Sequence, residues 1–503
     1  MTSTIVIGGG IAGLVTAWEL ARAGHQVQLL EAAPTLGGAL RSHTVAGIEL
    51  NSGAEAFATA SPAVAHLVDD LGLADKVVTP RQAVSWIVNL RGAFPSPANS
   101  YLGIPADPLA SDVVAVLGAE AAQRAAADAT MDPSAGYRPG ISLGAYVTAR
   151  MGSMVRDLLV EPVVGGVHST DPDLLELDSI APHLYRTVQR EGSLSAAVRS
   201  IKASAAARSQ GQGGAGSAVA ALDPVMDLLP RTLATQISEL GGRLSTATQV
   251  HGVRRNESGH WVVTSGVGEL VADQVVLSTP APITRALLAA MPEVVAAIPN
   301  VEPSPVALVT LVVDDARLDE APRSNGVLIA ARTPGVVAKA LTHATAKWAH
   351  VRAAAETSAP GQHRHVLRLS YGRSGLPLPT RSVLPELAFN DARRILGIAI
   401  DHDDLVAVDT VVWQHTMTQA RPGHRTALEE VAGRLAHHPG LAVTGAWIAG
   451  TGIAAITSHA RRLAQHLAGQ GEATGHPISA ASAPVAPMPT STLAADAAPQ
   501  EQS

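Results

Sequence analysis

The chain has 503 residues, 47% of them hydrophobic and 16% charged, enough to fill large cores and too apolar for a mostly disordered polymer. Its formal net charge of −7 gives no overall basic field to draw it to nucleic acid. Cysteine is absent, which excludes disulfides, iron–sulfur clusters, cysteine nucleophiles, a thiol-linked flavin and redox-active thiol pairs, and fits a cytoplasmic protein.

Residues 3–7 are a short apolar run that stops at Gly8 and predict a strand. Beyond Ile11 the apolar side chains recur at helical spacing (Leu14, Ala17, Trp18, Ala21), and Gly24 is placed to end the helix. Residues 26–30 predict a second strand ending at Glu31. At the first strand–helix junction Gly8, Gly9, Gly10, Ile11, Ala12 and Gly13 satisfy G-x-G-x-x-G. Gly8 permits a tight turn, Gly10 lets backbone approach a pyrophosphate, and Gly13 lets helix and strand pack closely. The helix start then offers N–H groups and the positive end of its dipole to phosphates. Glu31 stands 18 positions after Gly13, where a carboxylate can accept hydrogen bonds from ribose hydroxyls. Such a turn can also serve strand–helix packing alone. Its context points to a dinucleotide with an unphosphorylated ribose, and NAD and FAD both fit.

Residues 107–202 are helical in composition, with breaks expected at Pro139-Gly140 and Pro162. Within them and just beyond, Arg186, Arg190, Arg199, Lys202 and Arg208 outnumber the lone acid Glu191, and Arg199 and Lys202 share a helix face. That face is either solvated or a clamp for carboxylates, with Arg373 and Arg91 as further cations of the second kind. Residues 203–221, rich in Ala, Gly, Ser and Gln, read as a flexible loop, and 468–503 as a disordered tail. Residues 261–263 and 274–277 read as strands, and 305–313, 326–331, 365–371 and 405–414 as strands of an antiparallel sheet. A late strand at 441–445 precedes a helix over 453–467. His168 and Tyr371 read as packed side chains. His363/His365 and His437/His438 have no carboxylate at ligand spacing, so no metal is assigned. No apolar stretch reaches the roughly 18 residues of a spanning helix, which leaves at most peripheral membrane contact.

Gly37-Gly38-Ala39-Leu40-Arg41-Ser42 resembles the Gly-Gly-(Arg/Lys)-x-Arg-(Ser/Thr) box of the flavin amine oxidase and porphyrinogen oxidase superfamily. More specific stretches resemble its oxygen-dependent porphyrinogen oxidases. IELNSGAEAF at 48–57 and LVDDLGL at 67–73 are similar to their GPDSF and ELGL, EPVVGGVH at 161–168 to EPLLGGVY, and GAWIAGTGI at 445–453 to GNSFEGVGI. Asp171-Pro172, Gly192-Ser193-Leu194, Ser370-Tyr371-Gly372-Arg373, Trp413 and Pro422-Gly423-His424 fall in the same order, so the resemblance runs over 4–467.

The resemblance implies an α/β (α+β) fold in three parts. A Rossmann-like FAD-binding domain comes from discontinuous segments 1–85, 222–290 and 410–467, an antiparallel-sheet substrate domain from 86–106 and 291–409, and a helical lobe from 107–221. It implies non-covalent FAD, with Gly8 to Gly13 on the pyrophosphate, Glu31 and Ala32 on the ribose, and Ala39 and Arg41 near the phosphates. Gly53, Ala54, Glu55 and Ala56 would lie near the flavin, Val250 on the adenine side, Trp413 nearby, and Thr451, Gly452 and Ile453 against the isoalloxazine end. Ala39 stands where many relatives carry a base, and Gly53-Ala54-Glu55-Ala56 departs from GPDS. The implied activity is oxidation of coproporphyrinogen III to coproporphyrin III in haem biosynthesis, with O₂ as acceptor, H₂O₂ as product and hand-over to a ferrochelatase. Oxidation of protoporphyrinogen IX is the alternative. Other readings are a carotenoid desaturase, a non-catalytic flavin-binding scaffold and a flavin amine oxidase, the last opposed by Thr444-Gly445-Ala446-Trp447, where amine oxidases carry Ala-Gly-Glu. Three successive two-electron oxidations demand no acid–base residue from the protein, so no catalytic residue is assigned.

Overall fold

The computed structural model describes residues 1–211, 218–300, 304–417 and 420–469. Strand β1 (Ser3–Ile7), helix α1 (Ile11–Arg22) and strand β2 (Gln26–Leu30) stand where the sequence places them. Helix α1 ends because Gly24 turns left-handed, letting the Gly24 and His25 N–H groups bond back to the carbonyls of Ala21 and Leu20.

β1 is the centre of a five-stranded, wholly parallel sheet in the order Arg243–Ser245, β2, β1, Gln274–Leu277, Leu441–Val443. Its strands come from distant parts of the chain, so the sheet is assembled from discontinuous segments. Alternate residues serve opposite faces. Val6, Leu29 and Val276 join the core beneath α1, while Ile5, Ile7, Leu30 and Val275 join a second core with Trp261 and Leu428. A parallel sheet covered on both faces needs such uninterrupted apolar strands. The chain leaves β1 on one side for β2 and returns on the other at Gln274–Leu277. Sheets with this reversal bind ligands in the crevice at the carboxyl ends of the strands.

The helix Ile453–Gly469 packs along α1 and runs parallel to it. Glu19 and Arg461, each eight positions into its helix, pair at 2.9 Å. At the far end Thr4 Oγ1 contacts His25, just beyond α1, and donates to Gln274, whose side-chain amide donates to the Leu467 carbonyl. Both helices therefore begin at the carboxyl edge of the sheet.

A seven-stranded sheet follows the order Leu405–Met417, Ser304–Asp314, Arg364–Tyr371, Ala340–His343, Gly326–Ile329, Trp86–Asn89, Gly92–Pro95, antiparallel except where Gly326–Ile329 meets Trp86–Asn89. On Arg364–Tyr371 the side chains of Leu367, Leu369 and Tyr371 pack against the helix Leu384–Leu396, whereas Val366 and Arg368 turn toward the parallel-sheet half. A helical lobe lies between Ser111 and Gly211, with the fully buried Arg150 at its centre, paired with Asp128 at 2.5 Å and donating to the carbonyls of Asp132, Pro133 and Ala135.

Three sequence readings change here. Pro162 breaks nothing, because a π-helical turn over Arg156–Val160 leads straight into the helix Glu161–His168 and places the proline in its first turn, where no N–H is needed. The supposed loop 203–221 continues the helix Leu194–Gly211, as its alanines favour, and ends in the strand Val219–Leu222, paired with Phe57–Ala58 and Val77–Val78. Of that stretch, 212–217 lie outside the described residues, as do 470–503 of the tail. The strand Ala340–His343, not read from the sequence, completes the large sheet.

Burial holds three histidines neutral. It pushes His168 and His459 down to about 4 and His343 to about 3, from 6.5. With folded values below unfolded ones, their stability contribution is present above about pH 6.5 and is lost as pH falls toward 4. The melting temperature measured by scanning calorimetry is expected to fall between pH 6.5 and 4.5, and to fall less in His343→Asn, which cannot titrate. A flat profile in the unsubstituted protein would contradict this.

Candidate active site

At the carboxyl end of β1 three glycines are fixed by contact. A Cβ on Gly8 would lie 2.5 Å from the Ser278 carbonyl oxygen, on Gly9 2.5 Å from Leu36 Cδ2, and on Gly13 only 1.9 Å from the Gly8 carbonyl oxygen. Gly10 is different, since its Cβ would meet nothing within 4 Å. Its free side faces the start of α1, where the Ile11, Ala12 and Gly13 N–H groups have no carbonyl partner inside the helix. The second helix start, at Thr451, Gly452 and Ile453, lies on the same edge, so two positive dipole ends converge.

Glu31 ends β2 with both carboxylate oxygens in use. Oε2 accepts the Gly9 N–H at 2.6 Å and Oε1 the Ala33 N–H at 2.8 Å, with exposed Ala32 between. Each oxygen keeps a lone pair for a further donor. Alongside, the Glu31 backbone bonds to Ser245 and Thr248, and Val250 follows into the core that holds Leu30.

The Gly37 N–H donates to the Gly9 carbonyl at 2.8 Å, and Gly38, φ 60°, lies so near that its Cβ would stand 3.1 Å from Gly10 Cα. The Gly-Gly pair thus closes over the turn. Arg41 follows, donating from Nη2 to the Thr35 carbonyl and lying over Trp413 at 5.7 Å, while its Nε is buried without a partner. The Ala39 carbonyl accepts the Ala54 N–H at 2.9 Å and leaves Gly53 no room for a side chain. Trp413 Nε1 donates to the Ser52 carbonyl at 2.8 Å. The sequence-distant groups Ala39/Arg41, Gly53/Ala54/Ala56 and Trp413 are therefore one assembly. Glu55 belongs to it through its backbone, but its carboxylate turns to Lys347, Trp348 and Arg368 of the large-sheet half. The open space at Gly10, the paired helix starts and the orphaned Arg41 Nε fit a diphosphate-bearing cofactor.

Between the helical lobe and the large sheet lies a small recess lined by Ile87, Leu102, Leu159, Val163, Leu328 and the hydroxyls of Ser85, Ser96 and Ser100, with no charged side chain. The four cations singled out in the sequence do not converge on it. Arg199 and Lys202 do share a face, but it addresses the stretch that forms one cavity wall. Arg199 Nη1 donates to the Ala106 carbonyl at 2.5 Å and Lys202 Nζ to that of Ala98 at 2.9 Å. Arg373 pairs with Glu161 at 2.8 Å and donates to the Ile329 carbonyl. Arg91 caps the Leu117 carbonyl at 2.9 Å.

Sequence reading missed Lys339, 3% exposed in the run Val336-Val337-Ala338-Lys339-Ala340-Leu341, where a lone cation among apolar residues was the available signal. Its ammonium contacts Ser169 Oγ, near His168, and burial lowers it to about 7. It also missed that Asp319 joins His363 and His365, because that carboxylate is 44 positions from the nearer histidine.

Comparison with known proteins agrees with this geometry. The family described as flavin-containing amine oxidoreductase matches residues 11–468. The chain is similar to coproporphyrinogen III oxidase of Mycobacterium tuberculosis (strain H37Rv), 30% identical over 482 residues, 92% of this chain and 96% of that one. It is 25% identical over 468 residues to coproporphyrinogen III oxidase of Bacillus subtilis (strain 168), 89% and 94% of the two chains. A solved structure from Exiguobacterium sp. 255-15, provisionally described as a protoporphyrinogen oxidase, matches with a TM-score of 0.78 at 23% identity over 93% of this chain and 99% of that one.

The two glycines of the turn are expected to fail differently. Gly10→Val should lose bound flavin and fold with the melting temperature of flavin-stripped wild type, because its Cβ enters open space. Gly13→Val must push α1 off Gly8 and should lose about 3 kcal/mol of stability as well. Flavin absorbance and calorimetry on both variants check this, and flavin-replete Gly10→Val would contradict it.

Proposed function

The chain belongs to the family of flavin-containing amine oxidoreductases, and from that premise we propose that it is an FAD-dependent oxidase converting coproporphyrinogen III to coproporphyrin III, with O₂ as acceptor and H₂O₂ as product. The observation that carries this reading is the likeness over more than nine-tenths of both chains to the mycobacterial coproporphyrinogen III oxidase. The site supports it. FAD, when bound, supplies a two-electron acceptor that O₂ can regenerate, and each porphyrinogen needs three such transfers.

The residues divide the remaining work. The N–H groups of Ile11 and Ala12, with Arg41 Nε, bind the diphosphate, and Glu31 takes the ribose hydroxyls. Val250 meets the adenine side, and Gly53, Ala54, Trp413 and Thr451 to Ile453 shape the flavin end. The uncharged recess offers apolar side chains to the body of a tetrapyrrole. No lining residue is an acid or base that titrates near neutral pH, so the pyrrole protons leave to solvent. Arg199 keeps N–H donors beyond its bond to the Ala106 carbonyl, and a propionate at the rim of the wall it holds can use them.

Protoporphyrinogen IX oxidation is the second reading, favoured by the description of the Exiguobacterium structure. Among the described residues no helix is long and apolar enough to cross a membrane. A cytoplasmic site of action, with the product passing to a ferrochelatase, completes the proposal.

Purified protein is expected to be yellow and to release FAD on heating. It should form fluorescent porphyrin from coproporphyrinogen III with matching O₂ uptake and H₂O₂, at a higher kcat/KM than from protoporphyrinogen IX. Absence of flavin overturns the enzyme assignment. A higher kcat/KM for protoporphyrinogen IX both with and without detergent overturns the substrate assignment.

A further inference from the structure

One buried charge cluster stands between the two sheets and reaches neither the diphosphate cradle nor the cavity. Glu55 Oε1 accepts from Lys347 Nζ at 2.8 Å and from Trp348 Nε1 at 2.5 Å, and Oε2 lies 2.6 Å from Arg368 Nη2. Arg368 also donates from Nη1 to the carbonyls of Asn51 and Gly53, at 3.3 and 3.0 Å. The Glu55 side chain is only 10% exposed. Burial alone would raise its carboxyl, but the Lys347 and Arg368 charges and the donors outweigh that and bring it to about 2, so it is ionised at any working pH.

Every one of these bonds ties the segment 51–55 to the large-sheet half. The opposite tie is to the dinucleotide half, where the Ser52 N–H bonds to the Arg41 carbonyl and the Ala54 N–H to that of Ala39, both at 2.9 Å. The segment is thus held between two anchorages. Burying three charges for stability alone is poor economy, since an apolar cluster of the same volume would do as well. Directional charge-assisted bonds fix geometry instead.

We propose that Glu55, held by Arg368 and Lys347, is a positioning residue that sets where the flavin-side backbone stands relative to the sheet that walls the substrate cavity. This rests on the flavoenzyme reading above. It predicts an effect on the reaction with cofactor and substrate still bound, since the Glu55 carboxylate itself turns away from both and acts through the backbone it anchors.

The test compares wild type with Glu55→Gln and Glu55→Asp by flavin content, visible flavin spectrum and stopped-flow flavin reduction by coproporphyrinogen III. Glu55→Gln is expected to retain FAD, to shift the flavin absorbance bands, and to slow the limiting reduction rate about tenfold or more, with half-saturation within about twofold. Glu55→Asp, which restores the charge, is expected to recover part of the rate. If Glu55→Gln yields no folded protein, Trp348→Phe removes one donor, keeps both ion pairs and is judged by the same spectrum and rate. FAD-loaded Glu55→Gln, or Trp348→Phe in its place, that matches wild type in spectrum and limiting rate, or differs only in half-saturation, overturns this proposal alone. A wild type without FAD overturns it together with the flavoenzyme reading.

Discussion

The approach of Gly13 to the Gly8 carbonyl is the contact on which the rest of the site depends. A Cβ there would sit 1.9 Å from an oxygen, so α1 can lie flat on β1 only because residue 13 has no side chain. That closeness points the start of α1 at the crevice beside β1 and gives the helix Ile453–Gly469 a straight partner to run along. The Gly37-Gly38 strap closes over the turn because Gly38, whose Cβ would stand 3.1 Å from Gly10 Cα, has no side chain. Remove the close approach and the helix dipoles, the strap and the Arg41 guanidinium lose their common focus.

Where one physical rule dominates locally, the fold is legible in the residues. β1, β2 and Gln274–Leu277 are covered on both faces, so they read as short, mostly apolar runs ended by glycine or a polar residue, with Gln28 the one polar interruption within β2. The turn is legible because Gly8 and Gly13 answer a local steric demand, while Gly10 keeps the space beside the helix start open. Ala340–His343 is not, since four residues with a polar alternate cannot be told from loop, and only its neighbours in the sheet define it. The helical course of 203–211 was hidden by its small residues, which suit a linker as well as a helix.

The candidate site was legible to the same extent. Spacing showed that Arg199 and Lys202 share a face, but not that the face meets the carbonyls of Ala106 and Ala98. The motif placed Glu55 beside the cofactor, yet its carboxylate finds its partner 292 positions away at Lys347. A common theme is that cations answer backbone carbonyls: Arg150, Arg199, Lys202, Arg91 and Arg373 all do so. Positive charge thereby holds loops in shape while the cavity wall stays neutral.

The order of strands in the parallel sheet also sets a timetable. Its centre, β1, is made before its other strands, but its outermost strand Leu441–Val443 and the helix that carries Ile453 come more than 400 residues later. Nearly the whole polypeptide must emerge before the second helix start can meet the first. Nascent chains must therefore keep the apolar edge of Gln274–Leu277 from other partners meanwhile, which makes a slow, chaperone-attended assembly the natural companion of this topology. A ribosome that stalls before residue 441 releases a sheet with one side open and nothing to close it.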